Sequence, residues 1–447
     1  MTLRAAALIA LSLAAFDARA DDGAAASVRV LRGATVHTVA NGTLSDAAVV
    51  LRGRKIEWVG PAAQAPIPDG AEVVDLAGKV IIPGLVDTHS HIGISPRPDA
   101  AAHSDSNEDS GPLQSKLRAI DSIWPDDPGI RMATAGGITT ANIMPGSGNA
   151  VSGQTAYVKL RGKTVEDMLV DPKLVGGMKM ANGENTKRHY ASRHQAPSTR
   201  MALAGLQREL FVKAQEYQRK QQNWADPKKR GDKKEPPDRD LALEPVVEIL
   251  EGKRTVHHHT HRSDDIMTIL RLKREFGFEV VLHHCSECWR VADEIAKADV
   301  PVSFIMLDSP GGKFEASRYR PETAGELERA GVRISLHTDD SITSSRLFLR
   351  SGALAVGAGM SEEGALRALT LEGARQLHLE QRVGSLEKGK DADLVVLSGP
   401  PFSVYTQVLE TWIEGQRVFD RADPVDRRYA TGGFQVWDRH PSLGGKP

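Results

Sequence analysis

Two histidines separated by one residue follow a short apolar run near residue 85. His89 and His91 end the stretch Gly-Leu-Val-Asp-Thr-His-Ser-His of residues 84–91. Side chains two residues apart on a strand point to the same side, so both imidazoles can face one site. Imidazole is a common ligand of zinc and related metals. The pair therefore predicts a metal site at a strand end, with water activated by the metal as its chemistry.

More histidines stand in two later strand-like runs. Residues 255–261 read Thr-Val-His-His-His-Thr-His, and residues 278–284 read Phe-Glu-Val-Val-Leu-His-His. A third run, residues 332–339, ends in Asp339, and a carboxylate there can bind a metal or carry a proton. Asp340 is the neighbouring alternative. Several histidines thus cluster at strand-like positions of the chain.

The strands that must position these side chains lie in a chain whose ends and middle differ in pattern. Residues 27–82 and 380–420 contain short β-rich runs between turns, as antiparallel sheets do. Between them, residues 83–379 alternate strands and helices, as a parallel barrel requires. We therefore predict an α/β fold, a TIM (β/α)8 barrel inserted in a small β-sandwich domain built from both chain ends, followed by a C-terminal tail at 421–447. The eight candidate barrel strands end near His89, Ile143, Leu160, Met180, His259, His284, Ile305 and His337.

The bulk properties of the chain restrict its partners. Its 447 residues are 40% hydrophobic and 26% charged, with a formal net charge of −1. That balance offers no basic surface for nucleic acid. We expect a small-molecule substrate and no nucleic-acid partner, and we leave a homo-oligomer open.

The first twenty residues have the pattern of a secretory signal peptide. Arg4 supplies a positive charge, residues 5–16 form a short apolar stretch, and Ala-Arg-Ala at 18–20 precedes a cleavage position. The apolar run is short for a membrane anchor. We expect an exported protein, periplasmic or secreted, with no membrane span after cleavage.

The chain has two cysteines, Cys285 and Cys288. In an oxidising compartment a disulfide between them is favoured. A redox motif or a further metal site is the less favoured interpretation, since no thioredoxin-like context surrounds the pair.

Three longer motifs give the chain a family resemblance. Residues 80–91, Val-Ile-Ile-Pro-Gly-Leu-Val-Asp-Thr-His-Ser-His, resemble the opening of amidohydrolase-superfamily enzymes. Residues 384–396, Gly-Ser-Leu-Glu-Lys-Gly-Lys-Asp-Ala-Asp-Leu-Val-Val, and residues 370–375, Thr-Leu-Glu-Gly-Ala-Arg, are similar to segments near the other end of those enzymes. The similarity is greatest to the imidazolonepropionase-related group of metal-dependent hydrolases. It implies a barrel that holds one or two divalent metal ions, with zinc as the expected metal.

The resemblance also implies roles for single residues. The metal ligands fall on His89, His91, His259, His284 and Asp339. Asp339 is the implied proton carrier, and His284 can help the metal to polarise the scissile carbonyl. By strand alternation we expect His258 to be structural and His283 to point outward.

Two assignments stay open within this resemblance. Relatives bridge two metals with a carboxylated lysine or a glutamate on the fourth strand, and this chain offers Lys179 and Glu184 there. We prefer Glu184 as the metal ligand. The predicted substrate-binding residues are Asn149 and Gln154 in the loop after the second strand, together with Arg188 and His261.

The implied activity is hydrolysis of a C–N bond in a small molecule, a non-peptide amide or cyclic amide, through metal-bound hydroxide. Hydrolytic deamination of a heterocycle and hydrolysis of dipeptides are alternatives on the same fold. A non-catalytic scaffold is the alternative from another class, and loss of ligand residues is what it would show.

Overall fold

The computed structural model describes residues 27–97, 101–231, 235–307 and 312–432, so the predicted signal peptide and the end of the predicted tail lie outside the described residues. The strands in that part of the chain, in order, are β1 (Val28–His37), β2 (Thr43–Arg52), β3 (Lys55–Pro61), β4 (Glu72–Asp75), β5 (Val80–Pro83), β6 (Leu85–Ser90), β7 (Ile138–Ile143), β8 (Val151–Gln154), β9 (Ala156–Lys159), β10 (Met178–Ala181), β11 (Val256–Thr260), β12 (Val280–His284), β13 (Val302–Ile305), β14 (Ile334–His337), β15 (Leu394–Leu397), β16 (Val408–Ile413) and β17 (Gln416–Asp420).

Most helices lie between the strands of the middle of the chain. In order, the α-helices of the described ranges are α1 (Pro128–Ala135), α2 (Val165–Met168), α3 (Glu184–Ala191), α4 (Arg200–Ala225), α5 (Pro227–Arg230), α6 (Glu244–Leu250), α7 (Ser263–Phe276), α8 (Ala292–Lys297), α9 (Thr323–Arg329), α10 (Phe348–Gly357), α11 (Glu362–Leu369), α12 (Leu371–Gln376) and α13 (Pro424–Thr431). None of these helices has both the length and the apolar character needed to cross a bilayer.

The two chain ends share one sheet of eight strands. Its order is β17-β16-β15-β5-β1-β2-β3, with β4 paired to β1. β5 joins the two ends, since it pairs parallel with β1 and antiparallel with β15. Along β15, Leu394 and Val396 face the core of this end sheet, whereas Val395 and Leu397 join the core of the central strands. The alternation of buried residues therefore packs the end sheet on the middle of the chain.

The middle of the chain forms two further sheets. One has the order β14-β13-β12-β11-β10-β8, in which β10 to β14 pair in parallel, and the other has the order β6-β7-β9. The two sheets approach each other where Asp339 N donates a hydrogen bond of 2.9 Å to His89 O. β11 and β12 are buried along their whole length, as strands covered on both faces should be.

The predicted third barrel strand runs the other way. β9 pairs antiparallel with β7, and β8 pairs antiparallel with β10. Only residues 144–150 separate β7 from β8, and a parallel return needs a crossover of about a dozen residues or more. The segment 151–159 therefore comes straight back along β7, and the expectation of eight parallel strands is wrong at this position.

A buried group of charges joins the end sheet to the central strands. Lys159, at the end of β9, is fully buried, and its Nζ lies 2.7 Å from Asp391 Oδ2 and 2.8 Å from Asp393 Oδ2. Both aspartates belong to the motif of residues 384–396. Asp391 also accepts from Lys55 Nζ at 2.6 Å. The motif thus has a structural function here, because its carboxylates neutralise a buried ammonium group.

The ends of α7 follow from its local sequence, and α13 packs on the middle of the chain. α7 buries Ile266, Ile269 and Leu270 and ends at Gly277, whose φ of 77° suits glycine. Ser263 is its first residue, and the Glu287 carboxylate accepts from the Ser263 N–H. In the predicted tail, α13 packs on α1, with the Arg131 guanidinium 3.9 Å from the ring centroid of Tyr429.

Candidate metal centre

The carboxyl ends of β6, β11, β12 and β14 bring histidines together. The ring centroids of His259 and His284 are 4.4 Å apart, and His284 lies 4.8 Å from His89 and 4.9 Å from His337. All four side chains are buried. Ligands of α/β sheets bind outside the carboxyl ends of the strands, so the cluster lies where a functional site is expected.

The first group of candidate ligands is His89, His91 and Asp339. Asp339 Oδ1 lies 3.1 Å from His91 Nε2 and 3.5 Å from His89 Nε2. His91 Nδ1 donates to Met144 O at 2.7 Å, so Nε2 is the ring nitrogen that faces Asp339 and could bind a metal. Burial alone would raise the pKa of Asp339, but the hydrogen bond and charge of His91 and the nearby Lys179 hold it below its usual range.

Lys179 lies directly beside this first group. It is fully buried on β10, and its Nζ is 3.0 Å from His89 Nε2. Burial lowers the pKa of Lys179 to about 7, against the opposing effect of the Asp339 carboxylate. A lysine that loses its charge this readily is available as a nucleophile or for carboxylation.

Glu184, the preferred alternative to Lys179, lies elsewhere. It begins α3, and its Oε2 accepts from Glu315 N at 3.1 Å while its Oε1 lies 3.6 Å from Arg188. Its carboxylate belongs to none of the groups of converging ligand atoms found in the described ranges. The reason is local: the glycine turn at Gly183 starts α3 and turns the Glu184 side chain toward the loop that carries Glu315.

The second group of candidate ligands is His259, His261 and Glu315. Glu315 Oε1 lies 3.6 Å from His259 Nε2 and 3.9 Å from His261 Nε2. Ser147 Oγ is 3.0 Å from His259 Nδ1, and Ser286 Oγ is 2.8 Å from His261 Nδ1. Burial raises the pKa of Glu315 to about 7 and lowers that of His261 to about 3. Sequence reasoning missed Glu315, which lies in a short turn after β13.

His284 stands between the two groups. Its Nδ1 is 3.8 Å from Asp339 Oδ2 and 3.1 Å from His337 Nε2. The backbone is left-handed at His284, Cys285 and Asp339, with φ of 69°, 58° and 49°. Such conformations cost about 1–3 kcal/mol each and concentrate at functional sites. The turns after β12 and β14 thus accept strain where they present His284 and Asp339.

A pair of contacts fixes the ends of β6 and β14 relative to each other. The buried Asp87 carboxylate accepts from Thr338 N at 3.1 Å, from Thr338 Oγ1 at 2.5 Å and from His89 N at 3.2 Å. Burial raises the pKa of Asp87 to about 7. The Asp340 carboxylate has other partners: it forms an ion pair with Arg97 and accepts hydrogen bonds from Ser345. Asp339 is therefore the aspartate of this pair that faces the histidines.

The expectation that His283 points outward is wrong. His283 Nδ1 lies 3.2 Å from His89 Nδ1, and its Nε2 lies 3.0 Å from His257 Nδ1. His257 in turn contacts Tyr157 OH through Nε2 at 3.0 Å. In the pairing of β11 with β12, His283 lies opposite His259, and its side chain reaches back to His257, so both histidines are inside, beneath the ligand cluster. His258 has the predicted structural role, since it contacts Gln207 and the backbone of His259.

The predicted substrate-binding residues lie in different places. Gln154 pairs with Met178 at the start of β10 and binds Arg254, so it is at the opposite end of the strands from His259. The antiparallel direction of β8 places it there. Asn149 donates to Glu108 O and Gly111 O, which fastens a loop.

Arg188 and His261 lie closer to the site. The Arg188 side chain is 66% exposed and lines two neighbouring clefts of about 350 and 390 Å³. Glu315 lines one cleft, and Ser147, which contacts His259, lines the other. A separate cavity of about 660 Å³ between α1 and α13 has none of the clustered histidines in its lining.

The donor set fits a divalent metal ion. Burial holds the pKa of His89, His259 and His284 well below the ordinary value, so these imidazoles are neutral and keep a lone pair. Several are oriented through their other ring nitrogen, as metal-binding histidines usually are. Imidazole and carboxylate donors in this combination suit zinc and similar ions.

Comparison with known proteins agrees with this geometry. The family model described as the amidohydrolase family matches residues 80–418. The chain belongs to the amidohydrolase family. An amidohydrolase from Thermotoga maritima MSB8, known from a crystal structure, is 37% identical with a TM-score of 0.83, and the match covers 88% of this chain and 100% of that one.

Two further relatives are more distant. Amidohydrolase tasK of Hapsidospora irregularis is 30% identical over 387 residues, and the match covers 83% of this chain but only 39% of that longer protein. An imidazolonepropionase of Micrococcus luteus is 27% identical over 377 residues, 80% of this chain and 88% of that one. The predicted family and the predicted class of enzyme, a metal-dependent hydrolase of C–N bonds, are confirmed. The α/β fold of this amidohydrolase is of the TIM-barrel type.

Proposed function

We propose that this amidohydrolase cleaves an amide, imide or lactam bond of a small molecule with the help of one or two divalent metal ions, zinc being the expected metal. The position of the Asp339 carboxylate carries the proposal. Its Oδ1 lies 3.1 Å from His91 Nε2, and its Oδ2 lies 3.8 Å from His284 Nδ1. A partly exposed carboxylate between imidazoles can take a proton from water and return it to nitrogen.

When bound, a divalent metal lowers the pKa of a coordinated water toward about 7 and polarises a carbonyl oxygen. With such an ion held by the histidines, Asp339 would accept the proton that the attacking water loses as its oxygen bonds to the carbonyl carbon. Asp339 then gives that proton to the nitrogen as the C–N bond breaks. One water is consumed, and the products are a carboxylic acid and an amine. His284, beside Asp339, is placed to hydrogen-bond or polarise the carbonyl oxygen.

We place Lys179, and not Glu184, at the bridge between the two ligand groups. Its Nζ is 3.0 Å from His89 Nε2, whereas the Glu184 carboxylate is held by Glu315 N and Arg188. A desolvated, readily neutral lysine can take up carbon dioxide and so become a carboxylate. Arg188, in the two clefts beside the site, is our candidate for binding an anionic group of the substrate.

The finer architecture belongs to the same proposal. We infer that β6, β7, the antiparallel segment 151–159 and β10 to β14 close a barrel of eight positions, and that the end sheet folds on itself as the sandwich. The proposed domains are 27–82 and 380–420 for the sandwich and 83–379 for the barrel. Residues 1–20 are proposed as a signal for export to the periplasm or medium. The Cys285–Cys288 disulfide supports an oxidising compartment. We also propose that the protein can form a homo-oligomer and that it does not bind nucleic acid.

Three alternatives differ in their observable products. A heterocycle deaminase would release ammonia from a ring carbon, and a dipeptidase would release two amino acids. A scaffold without catalysis would form none of these products. The converging imidazoles and carboxylates argue against a scaffold, since a protein without catalysis does not need a set of metal ligands.

The test compares wild type with Asp339→Asn on a panel of small amides, lactams, aminoheterocycles and dipeptides. We expect turnover of an amide or lactam by wild type and a loss of about 10²–10⁴-fold in kcat for the variant. Asp264→Asn is the matched control, because Asp264 is an exposed aspartate that pairs with Arg262. Wild-type turnover confined to aminoheterocycles would replace the proposal with a deaminase. Equal kcat for Asp339→Asn and wild type would remove Asp339 from the proton transfer.

A further inference from the structure

The turn that follows β12 is closed by a disulfide. Cys285 and Cys288 are joined across two intervening residues, and both side chains are fully buried among the apolar residues of the central core. His284, a predicted metal ligand, immediately precedes this turn, and Ser286 lies inside it. We call residues 285–288 the disulfide turn. Its sulfurs are anchored in the core, while His284 and Ser286 contact histidines of the metal centre.

The disulfide turn also holds the end of β11. The Ser286 hydroxyl lies 2.8 Å from His261 Nδ1, and the Glu287 N–H donates to His261 O at 2.9 Å. The Cys285 N–H donates to Thr260 O at 2.9 Å. Three successive residues of the turn thus bind the last residue of β11 and the residue after it. A displacement of the turn would therefore move side chains of the metal centre.

The backbone at the start of the turn adopts an unfavourable conformation. His284 and Cys285 are consecutive residues with φ of 69° and 58°, in the left-handed region that residues with a Cβ avoid. Such a conformation persists only where the surroundings enforce it. A cross-link between residues three apart leaves the chain few alternatives, whereas an open turn with two thiols can relax. Relaxation at His284 would redirect its imidazole.

Burial determines when the disulfide can form. Neither sulfur is within reach of an external oxidant or reductant in the folded chain, because both cysteines are 0% exposed. The bond must therefore form before the turn is packed, and it persists afterwards. In the exchange, one cysteine thiolate attacks a disulfide of the oxidant, and the second thiolate then displaces the oxidant's sulfur. The two protons and two electrons of the cysteine thiols pass to the two sulfurs of the oxidant.

We propose that this oxidation sets the geometry of the metal centre, so that the chain binds metal tightly and turns over substrate fully only when Cys285 and Cys288 are joined before folding is complete. The disulfide is a positioning element, and neither sulfur is a metal ligand. A chain that folds in a reducing compartment has low activity, and one that folds among disulfide oxidants is active. The inference rests on the proposed metal-dependent function.

The experiment compares two forms of the wild-type chain. The protein is unfolded in urea with a phosphine reductant and refolded either with the phosphine present or, after its removal, with oxidised glutathione. A thiol reagent counts the cysteine thiols of each form. Competition with a chelator measures zinc affinity, and visible absorption with Co²⁺ reports the ligand geometry. For the reduced form we expect about 10–100-fold weaker metal binding at an unchanged number of sites, a changed Co²⁺ spectrum and a kcat lowered by at least about 10-fold.

Two variants serve as controls. The double change Cys285→Ala, Cys288→Ala should resemble the reduced form and should not respond to the oxidant. Ile295→Val removes one methyl group from the same buried core on α8. It should lower the stability to urea but leave the Co²⁺ spectrum and kcat at the values of the oxidised wild type.

The outcomes separate the inference from the proposed function. Equal zinc affinity, Co²⁺ spectrum and kcat in the oxidised and reduced forms overturn the inference alone, and so does a double variant that matches the oxidised wild type. Two thiols after refolding with the oxidant overturn it too, since the disulfide then does not form. A reduced form that stays unfolded also overturns it, because the disulfide would then support the whole fold. An oxidised wild type that binds no metal overturns the proposed function as well.

Discussion

The Lys179 ammonium group and the His89 imidazole, a predicted metal ligand, are in direct contact, with 3.0 Å between Nζ and Nε2. A charged ammonium group there would repel a metal ion, so Lys179 must be neutral or carboxylated when the first group is loaded. This contact supports our proposal of Lys179, and not Glu184, as the bridging residue, a choice that the sequence left open.

We expect Lys179→Ala to lower kcat/KM by at least about 100-fold, which is about 2.7 kcal/mol of transition-state stabilisation. Metal content should fall in parallel. Lys253→Ala, an exposed lysine paired with Glu251, is the control. A larger loss of metal in Glu184→Gln than in Lys179→Ala would return the bridging role to Glu184.

His283 should act as a positioning residue for His89. Replacing His283 with Phe removes the contact with His89 Nδ1 but no predicted ligand, so we expect about 10–100-fold weaker metal binding with the full number of sites. Competition with a chelator measures the affinity. His378→Gln, at an exposed histidine, controls for the loss of an imidazole. A His283→Phe protein with wild-type affinity would reduce His283 to core packing.

The buried Lys159 should matter for stability and not for chemistry. Lys159→Met leaves the buried Asp391 and Asp393 without their ammonium partner, so we expect a loss of about 3–5 kcal/mol in the free energy of unfolding. Urea denaturation measures it. The triple change Lys159→Met, Asp391→Asn, Asp393→Asn should cost less than the single change, because no carboxylate is then stranded. A single change that costs under about 1 kcal/mol would contradict this account.

The same group predicts an acid-sensitive contribution to stability. Burial alone would raise the pKa of Asp391, but Lys159, Lys55 and Arg382 together lower it to about 2. The folded pKa is below that of the unfolded chain, so Asp391 stabilises the protein above about pH 5. This contribution, about 2 kcal/mol, fades as the pH falls through 4 toward 2.

Unfolding of wild type and Asp391→Asn at pH 7 and pH 3 measures this contribution. The difference between the two proteins should shrink at pH 3. The comparison isolates Asp391 from Asp393, whose buried carboxyl has a raised pKa and therefore the opposite sign. Glu414 and Arg161 also border the group and are unchanged in both proteins. A difference that grows at pH 3 would show the sign to be wrong.

Much of the arrangement was predictable because it follows from strand ends. His89, His91, His259, His284 and Asp339 each end or follow a strand, and the strands bring them to one edge. Glu315 was not predictable in this way, since it lies in a single 3₁₀ turn, Phe314–Ala316, and not at the end of a strand. Gln154 was misplaced because alternating strands suggested a parallel third strand. The connection of residues 144–150 is too short for a crossover to a parallel strand, so it indicates an antiparallel return.

The end sheet also sets the order in which the polypeptide can assemble. β5 has β1 on one side and β15 on the other, and more than 300 residues lie between β5 and β15 in the chain. Until β15 is synthesised, β5 has an open hydrogen-bonding edge, and such an edge invites pairing with other chains. The early strands must therefore wait for the end of translation, or of translocation if the chain is exported, before their sheet is complete. A chain truncated before residue 394 should aggregate even though all its candidate metal ligands are present.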